Sequence, residues 1–197
     1  MRYLIILFFL INVTAMAQKK QIQELPFKSI PEASKNYESG NIVVRMIEGL
    51  GYRYYWATEG LQTGDLDYKP SDSGQSTKET LKHIHGLADV LKNVSLNFPS
   101  ISPTPNQSED FVELRKQTLN YLEEATVNFK NKTPKELAEL KVIFERGGKQ
   151  SSFPFWNMIN GPLADAIYHT GQVVSYRRSS GNPLPKGVNV FMGKTKE

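Results

Sequence analysis

Asp165 and His169 stand four residues apart, and Gln172 and Tyr176 follow at steps of three and four. On a helix that spacing turns side chains to one face, as a chelating pair requires. A carboxylate oxygen and an imidazole nitrogen suit zinc, nickel, manganese or iron(II). Two ligands do not make a site, so a third must come from another element. The choice is narrow, because the chain has three histidines and no cysteine. The missing cysteines also exclude disulfides, thiolate zinc sites, iron–sulfur clusters and a cysteine nucleophile.

His83 and His85 are the remaining histidines. His83 has Leu87 one turn on, with Val90 and Val94 further along that side. His85 has Lys82 and Asp89 as neighbours, a more solvated setting. The periodicity therefore makes His83 the better inward-pointing ligand and leaves His85 as the alternative. Glu59 could serve as a general base or as an acceptor for a ligand, or stand in solvent. Gln172 could orient substrate or move a proton. An Asp–His pair at this spacing is also an ordinary surface pair worth about 0.2–0.5 kcal/mol. Arg177-Arg178 suits an anion or a solvated helix end. No GxSxG elbow accompanies the serines, which argues against Ser/His/Asp catalysis.

The elements that must position these groups read as helices, without strands. Ile42, Val43, Met46, Ile47, Leu50, Tyr54 and Leu61 recur at helical intervals, weakened by Gly49 and Gly51, with a stop at Gly64. Residues 64–75 read as a loop. Ser76 and Glu79 form a capping box ahead of a second helix carrying Leu81, Ile84, Leu87, Ala88, Leu91 and Val94. Residues 99–107 are a proline-rich connection. Ser108-Glu109-Asp110 opens a third helix, and Thr133-Pro134-Lys135-Glu136 a short one reaching about Leu140. Residues 145–154 are a breaker-rich link. The last long helix carries Ile159, Leu163, Ile167, Val173 and Val174; Gly161-Pro162 starts or kinks it, and Gly181-Asn182-Pro183 ends it. Trp56, Trp156, Phe153 and Phe155 read as core and helix-contact aromatics. Four amphipathic helices with unequal connections predict an all-α four-helix bundle over 40–185, with a crossover connection. An extended lead-in over 18–39 precedes it, and a loose tail over 186–197 follows.

The segment LADAIYHTGQVVSYRRSSGNPLP (163–185) resembles the last helix of the DinB-like superfamily, also called the YfiT-like metal-dependent hydrolase group. The likeness rests on His-x-Gly-Gln at 169–172, Tyr176-Arg177-Arg178 and Gly181-Asn182-Pro183. STKETLKHIHGL (76–87) is similar to the second helix of that group, with His83 at the histidine position, and Trp56–Leu61 to the close of its first. The resemblance implies a divalent metal held by three histidines, of which His83 and His169 match two. Asp165 stands where the middle histidine is usual. That departure implies either a two-histidine, one-carboxylate set or a weakened site in which Asp165 only orients His169. Relatives include thiol transferases and isomerases that use low-molecular-weight thiols.

Residues 1–17, MRYLIILFFLINVTAMA, have the three parts of a secretory signal: Arg2, an apolar run to Val13, and Ala15-Met16-Ala17 before Gln18. The run is too short for the roughly 20 residues of a membrane span. The expectation is an exported protein, periplasmic or extracellular, with no stable membrane insertion after cleavage. The net charge of +4 is spread along the chain, which points away from nucleic acid. The resemblance implies a metal-dependent hydrolase or transferase acting on a small molecule, with a homodimer allowed. Low-molecular-weight thiols are mainly cytosolic, so hydrolysis suits an exported protein better. The alternative is a non-catalytic exported bundle with a degenerate metal site.

Overall fold

The computed structural model describes residues 24–196. The leader expected over 1–17 and the cleavage point at Gln18 lie outside them. Among the described residues no helix is long and apolar enough to cross a membrane.

Four long helices form the body: α1 (Ser39–Thr58), α3 (Thr77–Leu96), α4 (Phe111–Phe129) and α7 (Ala164–Ser179). Each buries a stripe at three- and four-residue steps. Ile47, Leu50, Tyr54 and Ala57 on α1 meet Leu81, Ile84, Ala88 and Leu91 on α3, Leu114, Leu119, Leu122 and Ala125 on α4, and Ala166 and Val173 on α7 in one core. Both α1 and α3 pack against α4 and α7, which puts α1 diagonally opposite α3. The links from α1 to α3 and from α4 to α7 therefore both cross the bundle end.

Local chemistry sets the starts and stops. Ser76 Oγ accepts from the Glu79 amide (3.2 Å), and Glu79 Oε2 accepts from the Ser76 amide (2.7 Å), which fixes where α3 begins. Asp110 caps α4, and Thr133 with Glu136 caps the short α5 (Pro134–Glu139) in the same way as Ser76. Gly51 sits inside α1 because a Cβ there would meet the Phe27 ring at 2.5 Å, so the lead-in can lie against the helix. Trp56 Nε1 and Arg45 Nη1 hold that lead-in by donating to the carbonyls of Lys28 (3.1 Å) and Pro31 (2.8 Å).

Four expectations need correction. First, α1 ends at Thr58, where the chain extends at Glu59 and turns left-handed at Gly60 (φ 71°). Second, the loop expected over 64–75 contains a short helix, α2 (Thr63–Asp67), whose start Asp65 caps by accepting from the Gln62 amide at 2.8 Å.

Third, the fold is mostly helical and not all-α. The links at 99–107 and 145–154 contribute to a three-stranded sheet of β1 (Pro99–Ser102), β2 (Lys141–Arg146) and β3 (Lys149–Pro154). β1 runs parallel to β2 and β3 antiparallel to it. Gly147-Gly148 adopts positive φ at both positions (56° and 73°), the geometry of a two-residue hairpin turn. The paired glycines therefore reverse the chain, in place of the expected breaker-rich link.

Fourth, the tail is not loose. β4 (Val188–Asn189) pairs with β5 (Lys194–Thr195), and Thr195 Oγ1 lies 2.9 Å from the Tyr52 hydroxyl on α1.

Candidate metal centre

The segment ahead of α7 sets where its ligands face. Trp156–Met158 forms a single turn, α6, and a wide turn over Ile159–Leu163 follows. Gly161 leaves helical geometry there (φ −96°, ψ −108°), and Pro162 supplies no amide hydrogen. Gly161-Pro162 therefore kinks the chain, and α7 proper begins at Ala164. Asp165 lies in its first turn and His169 one turn on, both turned toward α3. His83 comes from the second turn of α3, whose register the Ser76–Glu79 box fixes.

Helix packing brings the three groups together. One ligand atom from each of His83, Asp165 and His169 lies within 4.8 Å of the others. His83 Nε2 is 3.2 Å from Asp165 Oδ2, and His169 Nε2 is 3.3 Å from Asp165 Oδ1. The carboxylate thus bridges two imidazoles whose rings meet edge to face, centroids 4.6 Å apart. Side-chain exposure is 44% for His83, 42% for Asp165 and 17% for His169. The cluster is open to solvent on the His83 and Asp165 side and backed by protein at His169. Its donors, two nitrogens and one oxygen, fit a borderline divalent ion such as zinc, nickel, manganese or iron(II).

The flanking candidates take different places. Gln172 Oε1 lies 2.7 Å from His169 Nδ1, on the far side of the ring from Asp165. The Tyr168 ring packs edge-on against the His169 ring at 5.2 Å. Tyr176 continues the stripe and meets Tyr68, centroids 5.8 Å apart. Glu59 is not part of the cluster: its carboxylate pairs with Arg115 at 2.5 Å.

His85 is fully buried, and its Nδ1 lies 3.2 Å from Thr118 Oγ1. Burial holds its pKa below the usual histidine value, while the nearby Asp89 works in the opposite direction. The expected exposures of the two α3 histidines are thus reversed. His83 reaches the cluster from the solvent side of α3, and His85 faces the core against α4.

Sequence reasoning missed the use of Arg177. It is 2% exposed, and its Nη1 donates to the carbonyls of Trp56, Ala57 and Glu59 at 2.9, 3.1 and 3.1 Å. Its Nε donates to the Asn182 carbonyl at 2.7 Å. Asn182 in turn donates to Asp65 Oδ2 at 2.7 Å, joining the ends of α1, α2 and α7. The Arg-x4-Asn spacing was the visible signal, though nothing local to it identifies the α1 carbonyls as partners.

No family model matches the chain, and no curated protein matches it in sequence. Among solved structures, a DinB-like protein (YjoA) from Bacillus subtilis aligns with a TM-score of 0.55 and 19% identity, over 73% of this chain and 96% of that one. At that identity the likeness is one of fold: the chain has the DinB-like fold, and within it the His83–Asp165–His169 cluster stands as a candidate metal centre.

Proposed function

We propose that this protein is an exported, divalent-metal-dependent enzyme of the hydrolase or transferase type, acting on a small molecule. The observation that carries the reading is the convergence of two imidazole Nε2 atoms on the two oxygens of one carboxylate at a half-open surface. His83, Asp165 and His169 would hold the ion. A bound divalent ion supplies a Lewis acid and lowers the pKa of a water or thiol, so that a nucleophile forms near neutral pH.

The chain's own residues do the rest. His169, mostly shielded, anchors the cluster to α7. The exposed sides of His83 and Asp165 leave an approach for substrate. Tyr168 walls the His169 side with an exposed ring. Hydrolysis fits the expected export better than transfer to a cytosolic thiol.

A second reading is a non-catalytic binding bundle. Asp165 in place of the usual histidine favours it, as does Glu59, which is committed to Arg115 and offers no free base. Cobalt(II) loading separates the two readings. If the site keeps an open position, the visible spectrum of the cobalt protein shifts when azide or a small thiol is added. A spectrum that forms and does not respond to either would contradict the enzyme reading and favour a closed binding site.

A further inference from the structure

We propose that Gln172 is a positioning residue: it fixes His169 in the tautomer that carries its proton on Nδ1, and so commits Nε2 to the metal cluster. The inference rests on the metal reading of that cluster, and it replaces the expected part for Gln172 in handling substrate or a proton.

A neutral imidazole has one N–H donor and one lone pair, and the partner of one nitrogen decides the state of the other. Gln172 presents its carbonyl Oε1 to His169 Nδ1 at 2.7 Å. A carbonyl oxygen can only accept, so Nδ1 must donate. The lone pair is then on Nε2, which faces Asp165 Oδ1 at 3.3 Å. That oxygen is also an acceptor. Two acceptors at this distance repel unless a cation lies with them.

Without Gln172 the opposite tautomer would prevail. His169 Nε2–H would donate to Asp165 Oδ1, giving a self-satisfied pair that competes with any ion. Gln172 thus prevents the cluster from closing on itself. His83 has no such restraint: among the described residues its one hydrogen bond is Nε2 with Asp165 Oδ2. The two histidines therefore differ, with His169 pre-set as a ligand and His83 free to turn. The edge-on Tyr168 ring supports the same orientation by limiting rotation of His169.

Two measurements on the mature chain test this. The first is nitrogen-15 NMR of the histidine rings in metal-free protein at mildly alkaline pH. His169 is expected as the Nδ1–H tautomer in the native protein. It should move toward Nε2–H in Gln172→Leu and return in Gln172→Glu, which can only accept. The second is zinc affinity by chelator competition. Gln172→Leu should bind about 10- to 100-fold more weakly, the usual effect of removing a hydrogen-bond partner of a ligand. Gln172→Glu should bind at least as tightly as the native chain. The proposal is overturned if native His169 carries its proton on Nε2, or if Gln172→Glu falls as far as Gln172→Leu. Tautomers that respond as stated in a protein that binds no zinc would uphold the positioning role and overturn the metal reading instead.

Discussion

At the scale of single residues, the Asp165 carboxylate decides what the cluster is. Its two oxygens meet two different histidines from two helices, so its loss removes a donor and the link between the other two. Asp165→Ala should lower zinc affinity by about 100-fold or more, beyond the upper end of what an outer partner alone contributes. Asp165→His, which restores the three-histidine set that the resemblance implies, should still bind zinc. Titration by calorimetry checks both, and an Asp165→Ala protein with native affinity would remove Asp165 from the ligand set. The i, i+4 spacing of Asp165 and His169 was legible because it is a property of one helix. The choice between His83 and His85 was not legible from periodicity. α3 packs on α4 with one flank and α7 with another, so an inward side chain has two destinations. His85 points to α4 and finds Thr118; His83 emerges beside α7. Gln172 was visible as a polar member of the stripe, but its partner depends on a ring orientation that no spacing encodes.

At the scale of elements, capping chemistry was readable and long-range pairing was not. Ser76–Glu79 and Thr133–Glu136 form their boxes within four residues, and both stand as the sequence suggests. The sheet depends on β1 pairing with β2, some forty residues on, and on Gly147-Gly148 read as a hairpin turn. Glycine pairs between two short polar–apolar runs are a known hairpin signal, but helical periodicity dominates the rest of the chain. The tail escaped notice because its hairpin is only two residues per strand and is held by Tyr52.

The junction of α1, α2 and α7 carries a pH prediction. Burial alone would raise the pKa of Asp65. Hydrogen bonds from Ser180, Asn182 and the Gln62 amide, with the charge of Arg177, outweigh it and hold the carboxyl below its ordinary 3.8. The unfolded chain then takes up the proton first as pH falls. The stabilisation from Asp65 is present above about pH 4 and is lost as pH drops below the ordinary carboxyl range. Thermal melts of the native chain against Asp65→Asn should differ most near neutral pH and converge in acid. A gap that does not narrow below pH about 4 would contradict this assignment.

At the scale of the whole molecule, the fold serves the site through its diagonal order. With α1 opposite α3, helices α3 and α7 become neighbours, and His83 meets a pair 82 residues further on. The helical body of that arrangement was legible from four apolar stripes, and the longer links left room for a crossover without fixing where it falls. What no stripe could show is which helices adjoin, because an apolar stripe marks the face that is buried and not the helix that covers it. The buried Arg177 settles part of that choice by tying the end of α7 to the carbonyls of α1. The same order places the candidate centre on the surface between α3 and α7, away from the α1–α4 seam. Ligand loss there should therefore leave the core intact.

The most direct test is elemental analysis of the chain from Gln18 to Glu197, purified without a histidine tag, beside His83→Ala and His169→Ala. About one divalent ion per chain is expected, as three protein ligands and an open position imply. Both variants should lose that ion, with unchanged helical circular dichroism. A native protein that holds no stoichiometric metal even after reconstitution, or a His169→Ala protein that keeps it, would contradict the account.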